Sequence, residues 1–217
     1  MTAAETAAAP RRGRGRPASD APERILDAAY AVLRRDGYAG LTTAKVAAAS
    51  GQNKALISYY YGSKQGLVTA VARRVSEALT AEVLGGLGEP RRARELVQGL
   101  ADGVWRAMDR DEGLQRVYFD LASQSAVDPA VGEIMREMKQ GYREILRGLL
   151  RGLDERPAAG ELEGIVVFLI AGLEGLALER LERGDTAELR RARAHFVDAS
   201  SGLLRPRRPA RRPAPRP

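Results

Sequence analysis

Apolar residues recur at helical spacing along most of this chain, and glycine, proline and Asp-Pro pairs interrupt them at intervals. A first amphipathic segment, 21–36, carries Ile25, Ala28, Ala29, Val32 and Leu33 on one face. The same criteria predict later helices over 63–84, 91–109, 111–125, 129–153, 162–181 and 186–204. The sequence contains no convincing strand-type alternation. With two short helices described next, the pattern predicts an all-α protein of about nine helices.

Two short helices are expected between residues 42 and 61. Thr42 or Thr43 can cap the first, and Gly51, after Ser50, can adopt the positive φ that ends it. Its inward positions are predicted to be Val46, Ala47 and Ala49.

The second short helix begins after Asn53, which can cap it. Leu56, Ile57 and Tyr60 are predicted to face inward. The outward residues, at the start of the helix, are Lys54, Ala55, Ser58 and Tyr59. A helix that reads DNA needs such a polar face, because its first residues must reach base edges in the major groove. The two helices therefore predict a helix-turn-helix.

These residues make the chain resemble TetR-type (TetR/AcrR family) bacterial transcriptional regulators. The resemblance covers about the first third of the chain and rests on residues 24–29, 37–38, 41–43, 46–47, 51, 59–61 and 63–64. It implies phosphate binding by Thr43, Tyr60 and Lys64, and base contacts by the outward residues of the second helix. The candidate DNA-binding residues are Thr42, Thr43, Asn53, Lys54, Ala55, Ser58, Tyr59, Tyr60 and Lys64. At Ser58 the family commonly has a larger aromatic residue.

The net charge of +7 is concentrated at the two ends of the chain. Residues 1–19 carry +3 and residues 205–217 carry +6, whereas the segment between them is mildly acidic overall. Both ends are expected to be disordered because they lack apolar residues that could form a core. Arg14 and Arg16 stand in an RGRP sequence that resembles a minor-groove hook. A solvated basic tail is the alternative.

The sequence offers little for catalysis or metal binding. It has no cysteine, and its one histidine, His195, has no ligand-type neighbours at metal-binding spacing. No dinucleotide or phosphate-loop motif is present. We expect neither enzyme activity nor a metal or cofactor, and the absence of a signal peptide or membrane-length apolar run favours a cytoplasmic protein with no membrane partner.

Aromatic and methionine residues concentrate in the predicted helices of the second half, and this could form an apolar cavity for a small ligand. Ordinary core packing is the alternative for each of them. The candidate cavity residues are Trp105, Met108, Tyr118, Phe119, Gln124, Met138, Tyr142 and Phe168.

The last two predicted helices combine apolar and small residues. In the resembling family the corresponding pair forms a two-fold four-helix dimer interface. The candidate interface residues are Phe168, Gly172, Gly175, Leu176, His195 and Phe196. Burial within one chain is the alternative. Glu174 is a carboxylate within the most apolar helix, and it is either an interface or pocket polar group or a residue on a solvated strip.

Together these observations predict a helix-turn-helix DNA-binding domain at 20–66 and a helical ligand-binding and dimerisation domain at 67–204. The expected function is that of a homodimeric repressor, released from a palindromic double-stranded operator by an unidentified apolar or amphipathic effector. Two alternatives remain: an architectural DNA-binding protein that uses its basic tails without an effector, and a helical interaction module whose helix-turn-helix no longer binds DNA.

Overall fold

The structure is a computed structural model that describes residues 20–158 and 160–204. These residues form eight α-helices and no β-strand, which confirms the all-α prediction. The helices are α1 (Ala21–Gly40), α2 (Thr43–Ser50), α3 (Lys54–Tyr61), α4 (Lys64–Leu84), α5 (Ala93–Gln124), α6 (Pro129–Arg151), α7 (Leu162–Arg183) and α8 (Ala187–Leu203). The basic tails, including Arg14 and Arg16, lie outside the described residues.

The difference between nine expected helices and eight observed ones is a kink at Asp111 in α5. The backbone of Asp111 leaves the helical region, with φ −152° and ψ 89°. Its carboxylate oxygen Oδ1 accepts a hydrogen bond of 2.9 Å from the Gly113 N–H. This bond caps the second half of α5, as a helix-starting aspartate does. The predicted break is therefore present as a change of direction.

Two inward positions of the short helices differ from the prediction. In α2, Ala49 is exposed and Ser50 is buried, because Ser50 follows the fully buried Val46 by one helical turn. In α3, Tyr60 is 37% exposed. Tyr61, one turn after the buried Ile57, points inward instead, and its hydroxyl donates a 2.7 Å hydrogen bond to the Pro22 carbonyl.

A single apolar core extends from the helix-turn-helix to the middle of the molecule. The apolar stripe of α4 lies at its centre, between α1–α3 on one side and the second half of α5 and the first half of α6 on the other. The stripe consists of Leu67, Val68, Val71, Ala72, Val75 and Leu79. A second core joins α5, α6, α7 and α8. Helix α3 is therefore linked to helices α7 and α8 through α5 and α6, which contribute side chains to both cores.

Two polar contacts fix α1 against the rest of the chain. At the kink in α5, Asp111 accepts a 2.9 Å hydrogen bond from the Tyr30 hydroxyl and pairs with Arg34 at 3.1 Å. Burial and the neighbouring Asp111 raise the pKa of Tyr30 to about 12. Tyr30 therefore remains a neutral donor at physiological pH.

The second contact is made by Tyr38, just after α1 loses helical geometry at Gly37. The Tyr38 N–H donates to Asp120 Oδ2 at 2.5 Å, and its hydroxyl donates to Asp128 Oδ2 at 2.6 Å. Asp128 also caps α6 by accepting from the N–H of Ala130 at 3.0 Å. Tyr38 thus connects the end of α1 to both α5 and the first turn of α6.

Helices α4 and α5 approach each other closely at Gly103. A Cβ atom on Gly103 would lie 2.3 Å from the Val83 carbonyl oxygen, which is backbone and cannot rotate away. Only glycine fits there without moving the two helices apart. No helix within the described ranges is long and apolar enough to cross a membrane.

Gly103→Ala is expected to destabilise the protein by about 1–3 kcal/mol, because overpacking outweighs the better helix propensity of alanine. Gly148→Ala is the matched control: no atom lies within 4 Å of its Cβ position. It should stabilise the helix by about 0.5–1 kcal/mol. Denaturant unfolding measures both. A stabilising Gly103→Ala would contradict the close approach of α4 and α5.

Tyr38→Phe tests the contact between α1 and α6 through pH. The Tyr38 hydroxyl and backbone N–H groups of α6 lower the pKa of Asp128 below its usual range. A carboxyl with a lowered pKa stabilises the fold above its unfolded value of about 3.9, and this contribution is lost as the pH falls through the folded value. The free energy of unfolding that Tyr38→Phe loses, measured with urea, should therefore be largest at pH 7 and should shrink below about pH 4. An equal loss of unfolding free energy at pH 7 and below pH 4 would refute the contact between Tyr38 and Asp128.

Candidate DNA-binding surface and ligand cavity

Side-chain caps set the directions of α2 and α3. Thr42 Oγ1 accepts a 3.2 Å hydrogen bond from the Lys45 N–H, and Asn53 Oδ1 accepts one of 2.8 Å from the Leu56 N–H. Gly51, between the two helices, has φ +67°. Caps of this kind satisfy N–H groups that have no partner within the helix. They give α3 a defined start next to the turn.

The outward face of α3 contributes little to the fold. Lys54, Ala55, Ser58 and Tyr59 are all exposed, and Tyr59 is 78% accessible. The Tyr59 ring meets the Tyr60 ring edge-on, with centroids 5.0 Å apart. Within the described part of the chain no ion pair neutralises Lys54. The face is available to a partner that presents hydrogen-bonding edges and negative charge.

The residues expected to contact phosphate lie around this face at different depths. Thr43 and Lys64 are half-buried, whereas Tyr60 is more exposed. The Lys64 ammonium lies 4.5 Å from the centroid of the Tyr38 ring, which places it over the aromatic face. Because Tyr38 is bonded to Asp120 and Asp128, Lys64 rests on the connection between α1 and α6.

Lys45 differs from Lys54 and Lys64 because its charge is already paired with a carboxylate. Its ammonium lies 2.8 Å from Asp36, which also binds Arg35 at 2.6 Å. Hydrogen bonds from Arg35 and Lys45 hold the pKa of Asp36 well below its usual range. Lys45 is therefore less suited than Lys54 to neutralise a phosphate.

A cavity of about 140 Å³ lies between α4, α5, α6 and α7. Most of its wall is aliphatic. The apolar lining comprises Leu79, Val83, Leu84, Leu100, Val104, Ile145, Leu146, Leu149, Ile170, Leu173 and Ala177. Polar atoms are supplied by Thr80, Gln115, Tyr118, Tyr142 and Glu174.

Two of the eight residues expected in a cavity, Tyr118 and Tyr142, line this one. The other six are placed elsewhere. Trp105 and Met108 pack with Ala177 and Leu189, and the Trp105 indole N–H donates to Asp185 at 3.1 Å. Met138 lines a separate groove between α4 and α6.

The remaining three lie away from the cavity for geometric reasons. Phe119 is the residue after Tyr118, and a helix turns about 100° between neighbours. Gln124 is the last residue of α5. Phe168 is 43% exposed on the outer face of α7.

The polar side of the cavity includes Glu174, for which the sequence left a pocket role open, and Gln115, which the sequence did not assign to it. Glu174 accepts a hydrogen bond from the Tyr118 hydroxyl, and its other oxygen lies 3.1 Å from the Lys139 ammonium. Gln115 is buried and also faces the cavity. The position of Glu174 within an apolar helix was the only sequence signal. Gln115 gave none, because a glutamine on an amphipathic helix is ordinarily a surface residue.

The six candidate interface residues are divided between the interior and the surface. Gly172 packs against the Phe196 ring, and a Cβ on Gly172 would lie 2.2 Å from it. Leu176 is half-buried next to the Trp105 cluster. Phe168, Gly175 and His195 are exposed.

Within the described ranges, no group of three His, Cys, Asp or Glu side chains is placed to hold a metal ion. His195 is exposed on α8.

Family models match most of the chain. Residues 25–71 match bacterial regulatory proteins of the TetR family. Residues 93–205 match the C-terminal region of BetI-type transcriptional repressors. The second match alone covers more than half of the chain.

Individual proteins agree with these models. CymR, an HTH-type transcriptional regulator of Pseudomonas putida, is 23% identical over 185 residues, which are 84% of this chain and 90% of CymR. HdnoR, an HTH-type nicotine-responsive transcriptional repressor of Paenarthrobacter nicotinovorans, is 21% identical over 161 residues, 74% of this chain and 83% of HdnoR.

A solved structure of a TetR-family transcriptional regulator from a Rhodococcus species shares the fold. It has a TM-score of 0.72 at 18% identity, covering 86% of this chain and 99% of that one. The helix-turn-helix, the helical bundle and the two family matches agree. The chain belongs to the TetR family of DNA-binding transcriptional regulators.

Proposed function

We propose that this protein is a homodimeric repressor that reads a palindromic operator with α3 and leaves it when a small molecule occupies the cavity. The observation that carries this proposal is the outward face of α3. Its exposed side chains have little role in the fold, while the buried Ile57 holds the helix firmly in the core. A rigid helix with a free polar face fits the requirements of major-groove recognition.

Within this proposal the residues have two tasks. Lys54, Ala55, Ser58 and Tyr59 face base edges, and Thr43, Tyr60 and Lys64 bind phosphates. The caps Thr42 and Asn53 set the starts of α2 and α3. Phosphate contacts fix the position of a protein on DNA, and base contacts supply specificity. Ser58 is small, so Tyr59 provides the only aromatic side chain of the base-facing set.

The surfaces of α7 and α8 support a homodimer. Residues at alternating spacings of four and three are exposed along α7: Gly164, Phe168, Ala171, Gly175 and Leu178. A similar exposed row on α8 contains Ala192, His195, Ala199 and Gly202. This spacing is the one by which helices pack at a shallow angle, and small residues allow close approach. Two copies of the α7–α8 pair would form a four-helix interface.

The shared core supplies a route between the cavity and DNA. Leu79, Val83 and Leu84 line the cavity near the end of α4, and Leu67 and Val68 at the start of α4 belong to the core that contains Ile57 of α3. In a dimer, a ligand that shifts α4 would change the separation of the two α3 helices. Half-sites lie about one helical turn (34–36 Å) or a multiple of it apart, so the separation of the two α3 helices must match that spacing. Ligand and operator then weaken each other's binding by the same factor.

An effector is supported by the cavity and by the relatives. HdnoR is nicotine-responsive by name, and the cavity here has an apolar wall with a few polar groups, which is the usual composition of a small-molecule site.

Fluorescence anisotropy against the DNA upstream of the gene and a scrambled duplex tests the proposal. The repressor should prefer the upstream DNA, and the preference should survive removal of residues 1–19 and 205–217. Equal binding to both duplexes that disappears with the tails would instead identify an architectural DNA-binding protein. If neither duplex binds at moderate salt, the remaining alternative is a helical interaction module whose helix-turn-helix no longer binds DNA.

Lys54→Ala combined with Tyr59→Ala should weaken binding to the preferred duplex by about tenfold or more, since each base contact contributes about 1–3 kcal/mol. Stability should change little because both side chains are exposed. Arg110→Ala is the control: Arg110 is exposed on α5, a helix that does not pack against α3. Unchanged affinity in the double variant would disprove the assignment of α3 as the reading helix.

Ala171→Glu should convert the dimer into a monomer, because two buried carboxylates would oppose each other across the α7 row. Light scattering after size-exclusion chromatography gives the mass directly. Ala81→Glu introduces the same charge at an exposed position of α4 and should leave the dimer intact. A dimeric Ala171→Glu would rule out this interface.

A further inference from the structure

The polar groups around the cavity differ in whether they already have partners. Glu174 is the only formal charge among the lining residues. One of its oxygens accepts a hydrogen bond from the Tyr118 hydroxyl, and the other lies 3.1 Å from the Lys139 ammonium. Burial and the neighbouring Glu174 raise the pKa of Tyr118, so this phenol stays protonated and continues to donate.

This arrangement neutralises the carboxylate before any ligand enters. A cationic ligand would have to displace Lys139 or share its acceptor, and an anionic ligand would approach Glu174 unfavourably. A charged group of either sign would also have to move from water to a cavity with a mostly aliphatic wall, and this transfer costs free energy unless a partner compensates it. The ion pair therefore disfavours charged ligands of both signs.

Besides the Thr80 hydroxyl, two other polar groups face the cavity without partners of their own. The Tyr142 hydroxyl oxygen is buried, and among the described residues it has no hydrogen-bond partner. Burial raises the pKa of this phenol, and the Ser76 side chain, which lies near the hydroxyl but outside hydrogen-bonding geometry, opposes that rise. The side-chain amide of the buried Gln115 likewise makes no hydrogen bond within the described part of the chain. Both groups are neutral and both can donate or accept.

The cavity is partly open to solvent, and its volume shows what size of body fits inside it. The cavity holds about 140 Å³, and an engineered apolar cavity of about 150 Å³ binds benzene. One substituted ring or a comparable aliphatic body fits without rearrangement of the helices.

From these observations we infer that the effector is an uncharged, ring-sized apolar molecule carrying one hydrogen-bonding group, which binds Tyr142 and Gln115 while the Glu174–Lys139 pair excludes ions. The inference rests on the proposed function, because it concerns the ligand of the same cavity. Tyr142 is the residue that recognises the polar group, and Lys139 is the residue that sets the charge preference.

Four probes of similar size separate the possibilities: 4-methylphenol, p-xylene, 4-methylbenzylamine and 4-methylbenzoate. At pH 7 the first two are neutral, the third is a cation and the fourth an anion. Isothermal titration calorimetry of the full-length protein should show 4-methylphenol binding at least about tenfold more tightly than either ion. Tightest binding of the amine would mean that Glu174 is open to cations. Tightest binding of the benzoate would point to Arg143, which acts on Tyr118 electrostatically. Either result overturns the inference, as does no binding of any probe.

Two variants test the residue roles. Tyr142→Phe should lower the affinity ratio of 4-methylphenol to p-xylene by about three- to tenfold, the usual effect of one lost hydrogen bond. Tyr30→Phe is the control: it removes a phenol that does not line the cavity and should leave the ratio unchanged.

Lys139→Gln should expose the Glu174 charge and raise the affinity for the amine relative to 4-methylphenol by at least about tenfold. Lys139→Arg is the control, because it keeps the ion pair. An unchanged ratio in Tyr142→Phe, or no gain for the amine in Lys139→Gln, would refute the assignment.

The same protein samples distinguish this inference from the proposed function. Anisotropy without probe reports operator binding, and calorimetry without DNA reports the ligand class. A protein that binds 4-methylphenol in the predicted way without releasing DNA retains the ligand assignment and loses the effector role. A protein that is released from DNA by a charged compound retains the effector role and loses the ligand assignment.

Discussion

The apolar stripe of α4 is the constraint on which the rest of the molecule depends. Its first residues hold α1, α2 and α3 together, and its later residues pack against α5 and α6 and reach the cavity wall. Because protein interiors are close-packed, α4 cannot change its position at one end without changing contacts at the other. At Gly103 the backbone of α5 lies so close to the backbone of Val83 that α4 and α5 cannot keep this spacing around a larger side chain.

Polar contacts give this apolar framework its orientation. Hydrophobic packing is largely non-directional, whereas the bonds from Tyr30 to Asp111 and from Tyr38 to Asp120 and Asp128 have fixed geometry. Both sets join α1 to positions where another helix bends or begins. The orientation of the helix-turn-helix is therefore determined at the kink in α5 and at the first turn of α6. Lys64, which rests on Tyr38, lies close to the second of these points.

The cavity illustrates how a half-buried ion pair can serve specificity. Replacing an ion pair with apolar side chains often leaves stability unchanged or improves it, so the Glu174–Lys139 pair has no evident need to exist for the fold. Its position at the cavity wall, with Tyr118 completing the carboxylate's hydrogen bonds, lets the pair discriminate between ligands by charge. The unpartnered Tyr142 hydroxyl provides the complementary attraction.

The sequence by itself determined the helices, their breaks and the helix-turn-helix, because these depend on local spacing and on capping residues such as Thr42, Asn53 and Gly51. It did not determine which side of a helix meets which neighbour. Tyr61 instead of Tyr60 faces the core, and Trp105 faces α7 and α8 instead of the cavity, since rotations of about 100° per residue decide contacts that only the packed helices define. The partners of Glu174 lie 35 and 56 residues away along the chain, and only the tertiary structure brings them together.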